Sequence, residues 1–207
     1  LDILNLFAQG KTRQYSITFP EGWSFKQMFQ AIQNNPNLQH TLANVEFKDV
    51  MAHIGSNQTH PEGLFFPDTY LFEKNTTDLD LLRLAHKKME TVLDHEWQQR
   101  DTQTPLQSPY QALILASIVE KETGADEERK QIAGVFSRRL QQGMLLQTDP
   151  TVIYGMGDEY KGDIKRQDLR EPTPYNTYVM SGLPPTPIAM PGRDAIHAAL
   201  HPEAGNS

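Results

Sequence analysis

The stretch Ser108-Pro-Tyr-Gln-Ala-Leu-Ile-Leu-Ala-Ser-Ile-Val-Glu-Lys-Glu-Thr-Gly124 decides how the chain is read. Ser108 offers a capping hydroxyl, and Pro109 follows it where a missing N–H costs nothing, so a helix starts here. Gly124 marks its end. Between them the residues are apolar nearly all round, which predicts a helix buried at the heart of its domain. Glu120 shares a face with Leu113, Ala116 and Ser117. Burial and the negative C-terminal end of the helix both favour the neutral, proton-bearing form of this carboxyl. An acid that keeps its proton near neutral pH suits the cleavage of a glycosidic bond. The plainer alternative is a structural cap, or a pair with Lys121 or a nearby arginine. Glu122 projects roughly 200° away around the helix, beside Leu115, Ile118 and Val119, so the two acids do not face one cleft.

Downstream, Asp126-Glu-Glu128 opens a second helix with acids in its first turn, where the dipole welcomes them. Ile132, Val135, Phe136 and Leu140 keep its period, and Gly143 ends it. Beyond Met144 regular structure is expected to thin out, because prolines crowd the stretch from Pro150 to Pro191. Two segments there, Gln147-Thr-Asp-Pro150 and Tyr175-Asn-Thr-Tyr178, hold several polar side chains on rigid backbone. Amides, hydroxyls and aromatic rings of this kind build sugar sites, because a saccharide offers hydroxyls to bond and C–H faces to stack on. Gln147, Asp149, Asn176 and Tyr178 are therefore candidates for orienting a sugar or holding Glu120. Thr148 reads as a group that satisfies buried loop backbone, and the same reading stands as the alternative for the others.

Upstream, Gln14 to Phe19 alternates polar and apolar residues like a half-buried strand, and Pro20-Glu-Gly22 is a turn. Ser24 caps a helix carrying Phe25, Met28, Phe29 and Ile32, closed by Asn34-Asn-Pro36. A short helix over 46–52 and a returning strand at Thr69 to Phe72 complete a strand–helix–helix–strand module. From Asp78 to Arg100 an apolar face of Leu81, Leu82, Ala85, Met89, Val92, Leu93 and Trp97 predicts one long amphipathic helix. The polar run from Arg100 to Ser108 then reads as a linker. The expected fold class is α+β, in three parts: a βααβ subdomain over 12–75, a connecting helix and linker over 76–104, and a mixed α/β domain over 105–207 built round the buried helix.

Bulk properties exclude several functions. A net charge of −7 leaves no basic stripe for nucleic acid. Cysteine is absent, which removes disulfides, thiolate metal sites and a cysteine nucleophile. Seven histidines include one i,i+4 pair, His197 and His201, without a glutamate base between them, so neither a metal nor another cofactor is expected. The richest apolar run, Ala112 to Val119, is far short of the roughly 18 residues that cross a bilayer. With no initiator Met and no leader, the chain is read as starting inside a longer protein whose targeting or anchoring segment is not part of it.

The buried stretch from Ile114 to Thr123, the runs Val135 to Leu140, Gly143 to Gly155, Tyr175 to Tyr178 and Gly182 to Ile188, and the earlier Pro61 to Tyr70 and Leu82 to Met89 together resemble the YceG-like family of endolytic murein transglycosylases. The resemblance implies that Glu120 is the catalytic acid, and that the substrate is the glycan strand of peptidoglycan. It implies a lyase that cuts MurNAc–GlcNAc bonds within nascent strands, leaves 1,6-anhydro-MurNAc ends and so terminates elongation. It further implies that the βααβ subdomain is LysM-like, that one N-terminal helix anchors the protein in the bacterial inner membrane with this part in the periplasm, and that peptidoglycan synthases are partners. Relatives continue with a further strand-forming segment beyond the point where this chain stops, so the C-terminal domain is expected to be incomplete. Two other readings remain open: a hydrolytic muramidase using Glu120 with Asp149 or Glu122 as a water-activating base, and a non-catalytic glycan-binding scaffold for the synthases.

Overall fold

The computed structural model describes residues 13–205; residue 12 of the expected first domain and residues 206 and 207 of the last lie outside it. Strand β1 (Gln14–Thr18) pairs antiparallel with β2 (Thr69–Glu73), Ser16 standing opposite Leu71. In β2, Tyr70 and Phe72 are buried and Leu71 is exposed, the alternation of a ribbon with one covered face. Phe19 packs on Tyr70 with ring centroids 5.7 Å apart, and two helices lie between the strands in the chain. Helix α1 (Phe25–Gln33) buries Phe25, Met28 and Ile32, and α2 (Val50–Ile54), entered through a 3-10 turn at Phe47–Asp49, buries Val50 and Met51. Ser24 and Gln27 cap α1 reciprocally through side chain and backbone. A two-stranded ribbon is marginal by itself. Here Phe25 stacks on Phe65 with ring centroids 4.8 Å apart and ties α1 to the segment before β2.

Helix α3 (Asp78–Gln98) buries Leu81, Leu82, Ala85, Met89 and Leu93 along one face. Helix α4 (Pro109–Glu122) is the buried helix: every residue from Ala112 to Val119 is covered, and Ser108 accepts the Gln111 N–H as its cap. Helices α5 (Asp126–Gln141), α6 (Asp149–Met156) and α7 (Arg193–Leu200) surround it, α7 packing on α3, α4 and α5. The residues expected to form a linker are irregular but tied down, with Leu106 buried and the Asp101 N–H bonded to the Leu200 carbonyl at 3.0 Å. Among the described residues no helix is long and apolar enough to cross a membrane.

Two expectations are corrected. The domain over 105–207 is not mixed α/β: its described residues form helices and loops, and helices supply the cover around α4 that strands were expected to share. The region beyond Met144 is also less irregular than its prolines suggest, because α6 forms there. Pro150 stands in the first turn of that helix, where the missing N–H has no carbonyl to lose.

Candidate active site

Helix α4 carries Glu120 to a point where α5, the start of α7 and the turn after β1 converge. The Glu120 side chain is 6% exposed. The Gly192 N–H donates to its Oε2 at 2.9 Å, and one terminal nitrogen of Arg129 lies 3.5 Å from its Oε1. Arg129, from the first turn of α5, is itself buried and uses its other terminal nitrogen to hold Asp126. Both the amide and the guanidinium stabilise negative charge on Glu120, against the burial that opposes it. The arginine partner weighed as an alternative at the sequence level is thus present beside a buried carboxyl.

The turn after β1 closes over this carboxyl. The Gly22 N–H bonds to the Met190 carbonyl at 2.9 Å, and the Met190 N–H returns to the Trp23 carbonyl at 2.8 Å. Gly22 holds φ +76 and faces the Glu120 stem, so a residue with a side chain would be strained there. Lys121 reaches back to donate to the Gly22 carbonyl at 3.3 Å. Next in the turn, Glu21 places Oε2 3.9 Å from the Arg129 nitrogen that also faces Glu120. Burial first, then the charge of Glu120, pushes the Glu21 carboxyl above the usual carboxylate range, with Arg129 pulling the other way.

The remaining sequence candidates lie on the other flank of the helix end, as the angular separation of the two glutamates requires. Thr148 donates its hydroxyl to Glu122, and the Tyr178 hydroxyl donates to Asp149 at 2.6 Å. That last bond, with burial, pushes the Tyr178 phenol up to about 12. Asn176 is fully buried and spends its amide on the carbonyls of Asp168 and Glu171, while its oxygen accepts the Tyr178 N–H at 3.0 Å. Gln147 is exposed at a left-handed φ of +53, its N–H bonded to the Thr177 carbonyl at 3.0 Å. Glu122, Asp149, Asn176 and Tyr178 are therefore brought together around the loops that follow α5 and α6, with Gln147 at their edge.

Sequence reasoning missed four residues: Glu21, Arg129, Glu62 and Tyr154. Glu62 is 3% exposed, accepts the Phe25 N–H at 2.8 Å and the Tyr154 hydroxyl at 3.2 Å, and is pushed up to about 7 by burial. The available signal was a lone acid in the run Pro61 to Phe66, followed by a glycine. A β-carbon at Gly63 would overlap the Pro187 ring, so the glycine permits a close approach of two segments. One cluster of ligating types does form among the described residues, from Glu96, His197 and His201. Its carboxylate already accepts from Arg193 Nε at 2.7 Å and pairs with His197 Nδ1 at 2.9 Å, which makes it a clamp between α3 and α7.

Residues 1–207 match the YceG-like family. Over 162 residues the chain is 38% identical to the endolytic murein transglycosylase of Bacillus subtilis (strain 168), covering 76% of this chain and 44% of that protein. Over 144 residues it is 33% identical to the endolytic murein transglycosylase of Streptococcus pneumoniae (serotype 2, strain D39), covering 68% of this chain and 26% of that protein. The chain thus spans less than half the length of these curated relatives. A crystal structure of a YceG-like protein from Listeria monocytogenes is similar with a TM-score of 0.74 at 30% identity, over 99% of this chain and 72% of the other.

Proposed function

The chain belongs to the YceG-like family, and from that premise we propose that it is the extracytoplasmic part of an endolytic murein lytic transglycosylase with Glu120 as its catalytic acid. The observation that carries this reading is the Glu120 carboxyl at the end of a buried helix, 6% exposed, with a backbone amide on one oxygen and a guanidinium near the other. A protonated Glu120 donates to the oxygen between MurNAc and the following GlcNAc as the C1–O bond breaks, through an oxocarbenium-like transition state. The carboxylate left behind is the form that Arg129 and Gly192 stabilise. It takes the proton from the MurNAc C6 hydroxyl while O6 bonds to C1, which closes the anhydro ring and restores the acid. One carboxyl serves both steps, unlike the paired acids of ordinary glycosidases.

Glu122 and Asp149 are bonded to Thr148 and Tyr178, on the other flank from Glu120, which favours this single-acid route over a hydrolase built on either of them. In this reading Tyr178 and Gln147 contact the sugar, and Asn176 keeps the Tyr178 loop in shape. The βααβ subdomain is LysM-like and grips GlcNAc-containing strands; the natural setting is the periplasmic face of the bacterial inner membrane, on a single-pass anchor beside peptidoglycan synthases. Mass spectrometry of fragments from peptidoglycan incubated with the protein tests the reaction class. Ends lighter by one water than reducing ends are expected; reducing ends would identify a hydrolase, and unbroken strands a binding protein.

A further inference from the structure

Two carboxylates from opposite halves of the molecule reach one guanidinium nitrogen. Arg129 Nη2 lies 3.5 Å from Glu120 Oε1 and 3.9 Å from Glu21 Oε2, and Asp126 occupies Nη1. The neighbouring cation, Lys121, spends its ammonium on the Gly22 carbonyl. Asp194, in the first turn of α7, adds further negative charge at Glu21. With Asp126 offsetting Arg129, Glu21 and Glu120 face each other across the shared nitrogen without full compensation. A proton held by one of the two relieves the repulsion.

The backbone makes room for this approach. A β-carbon at Gly192 would overlap the Glu21 carboxylate. The φ of Gly192 is an ordinary −76, so the glycine serves space and not conformation, leaving room for the Glu21 carboxylate to come this close. The two hydrogen bonds that dock Gly22 and Trp23 on Met190 fix the backbone that carries Glu21, whose side chain is half exposed.

We propose that Glu21 is a positioning residue for the cleavage: contributed by the N-terminal subdomain, it shares Arg129 with Glu120 and so keeps a proton on the carboxyl pair. This rests on the reading of Glu120 as the acid. It explains how a carboxyl beside an arginine and an amide acts as a proton donor, and it makes the acid depend on the docked N-terminal subdomain.

The test is the pH profile of peptidoglycan cleavage from about pH 4 to about pH 9, for wild type, Glu21→Gln and Glu21→Asp. Glu21→Gln keeps the shape and removes the charge. Its alkaline limb is expected to move down by about one unit, with about tenfold loss near pH 8 that recovers towards pH 5. Glu21→Asp is expected to keep the wild-type limb. A superimposable profile for Glu21→Gln, or a uniform loss at every pH, overturns the proposal. Carboxyl-carbon NMR titration gives a readout independent of turnover: the Glu21 midpoint should fall when Glu120 is replaced by Gln, and an unchanged midpoint overturns the coupling. A wild-type protein that yields no anhydro ends would sink the reading of the reaction, while the titration still decides whether the two carboxyls share a proton.

Discussion

Glu62 illustrates how far one side chain depends on its surroundings. Burial raises its carboxyl to about 7, although the Phe25 N–H and the Tyr154 hydroxyl both pull it down. A carboxyl raised in the folded state binds protons that the unfolded chain has already released. Its contribution to stability is therefore greatest below the ordinary carboxylate range and is lost as pH rises towards 7. Glu62→Gln is expected to remove that slope, so that urea unfolding at pH 5 and pH 8 differs less in the variant, by roughly 3 kcal/mol at most. Parallel profiles for the two proteins would contradict the account. Gly192→Ala puts a methyl where the Glu21 carboxylate sits, so this half-exposed side chain must swing away; the variant is expected to lose about tenfold near pH 8, or about 1.4 kcal/mol of barrier, as Glu21→Gln does, in a rate assay. A wild-type rate would show that Glu21 has room to move without consequence.

At the scale of elements, capping and periodicity carried the reading. Ser108-Pro109 started α4 where expected, Ser24 and Gln27 fixed α1, and Thr77 caps α3 through Asp80. Helix α6 was not legible because proline density was read as irregularity, and a proline in the first turn of a helix looks the same in sequence as one in a loop. Partners across elements were out of reach for a different reason. That Arg129 and Gly192 meet Glu120, or that Glu96 joins α7, follows from packing and leaves no periodic trace. Glu96 is 2% exposed, and although burial raises its carboxyl, the bonds from His197 and Arg193 outweigh that and hold it below the usual range. A depressed carboxyl stabilises the fold above the ordinary carboxylate range and loses that contribution as pH falls. Glu96→Gln is expected to cost about 1–3 kcal/mol at neutral pH by denaturant unfolding, and less in acid. A variant as stable as wild type at neutral pH would mean the clamp contributes nothing.

The whole molecule joins two halves through backbone and buried acids rather than through a linker alone. Gly22 and Trp23 pair with Met190, and Glu62 caps α1 while accepting from Tyr154 on α6; on the surface, Lys26 on α1 also meets the exposed Asp158 at 2.8 Å. The turn that the sequence presented as a simple reversal, Pro20-Glu-Gly22, thereby becomes one wall of the site. That Glu120 ends an apolar helix was legible from the uncharged run before it; the wall opposite it was not, because a turn signal says nothing about what the turn touches. The central claim is that Glu120 breaks the glycosidic bond. Its most direct test compares glycan fragments released from peptidoglycan by the wild-type protein and by Glu120→Gln, which keeps the side-chain shape and cannot cycle a proton. Anhydro-ended fragments from the wild type alone are the predicted result; the same fragments from the variant, formed at a similar rate, would contradict it.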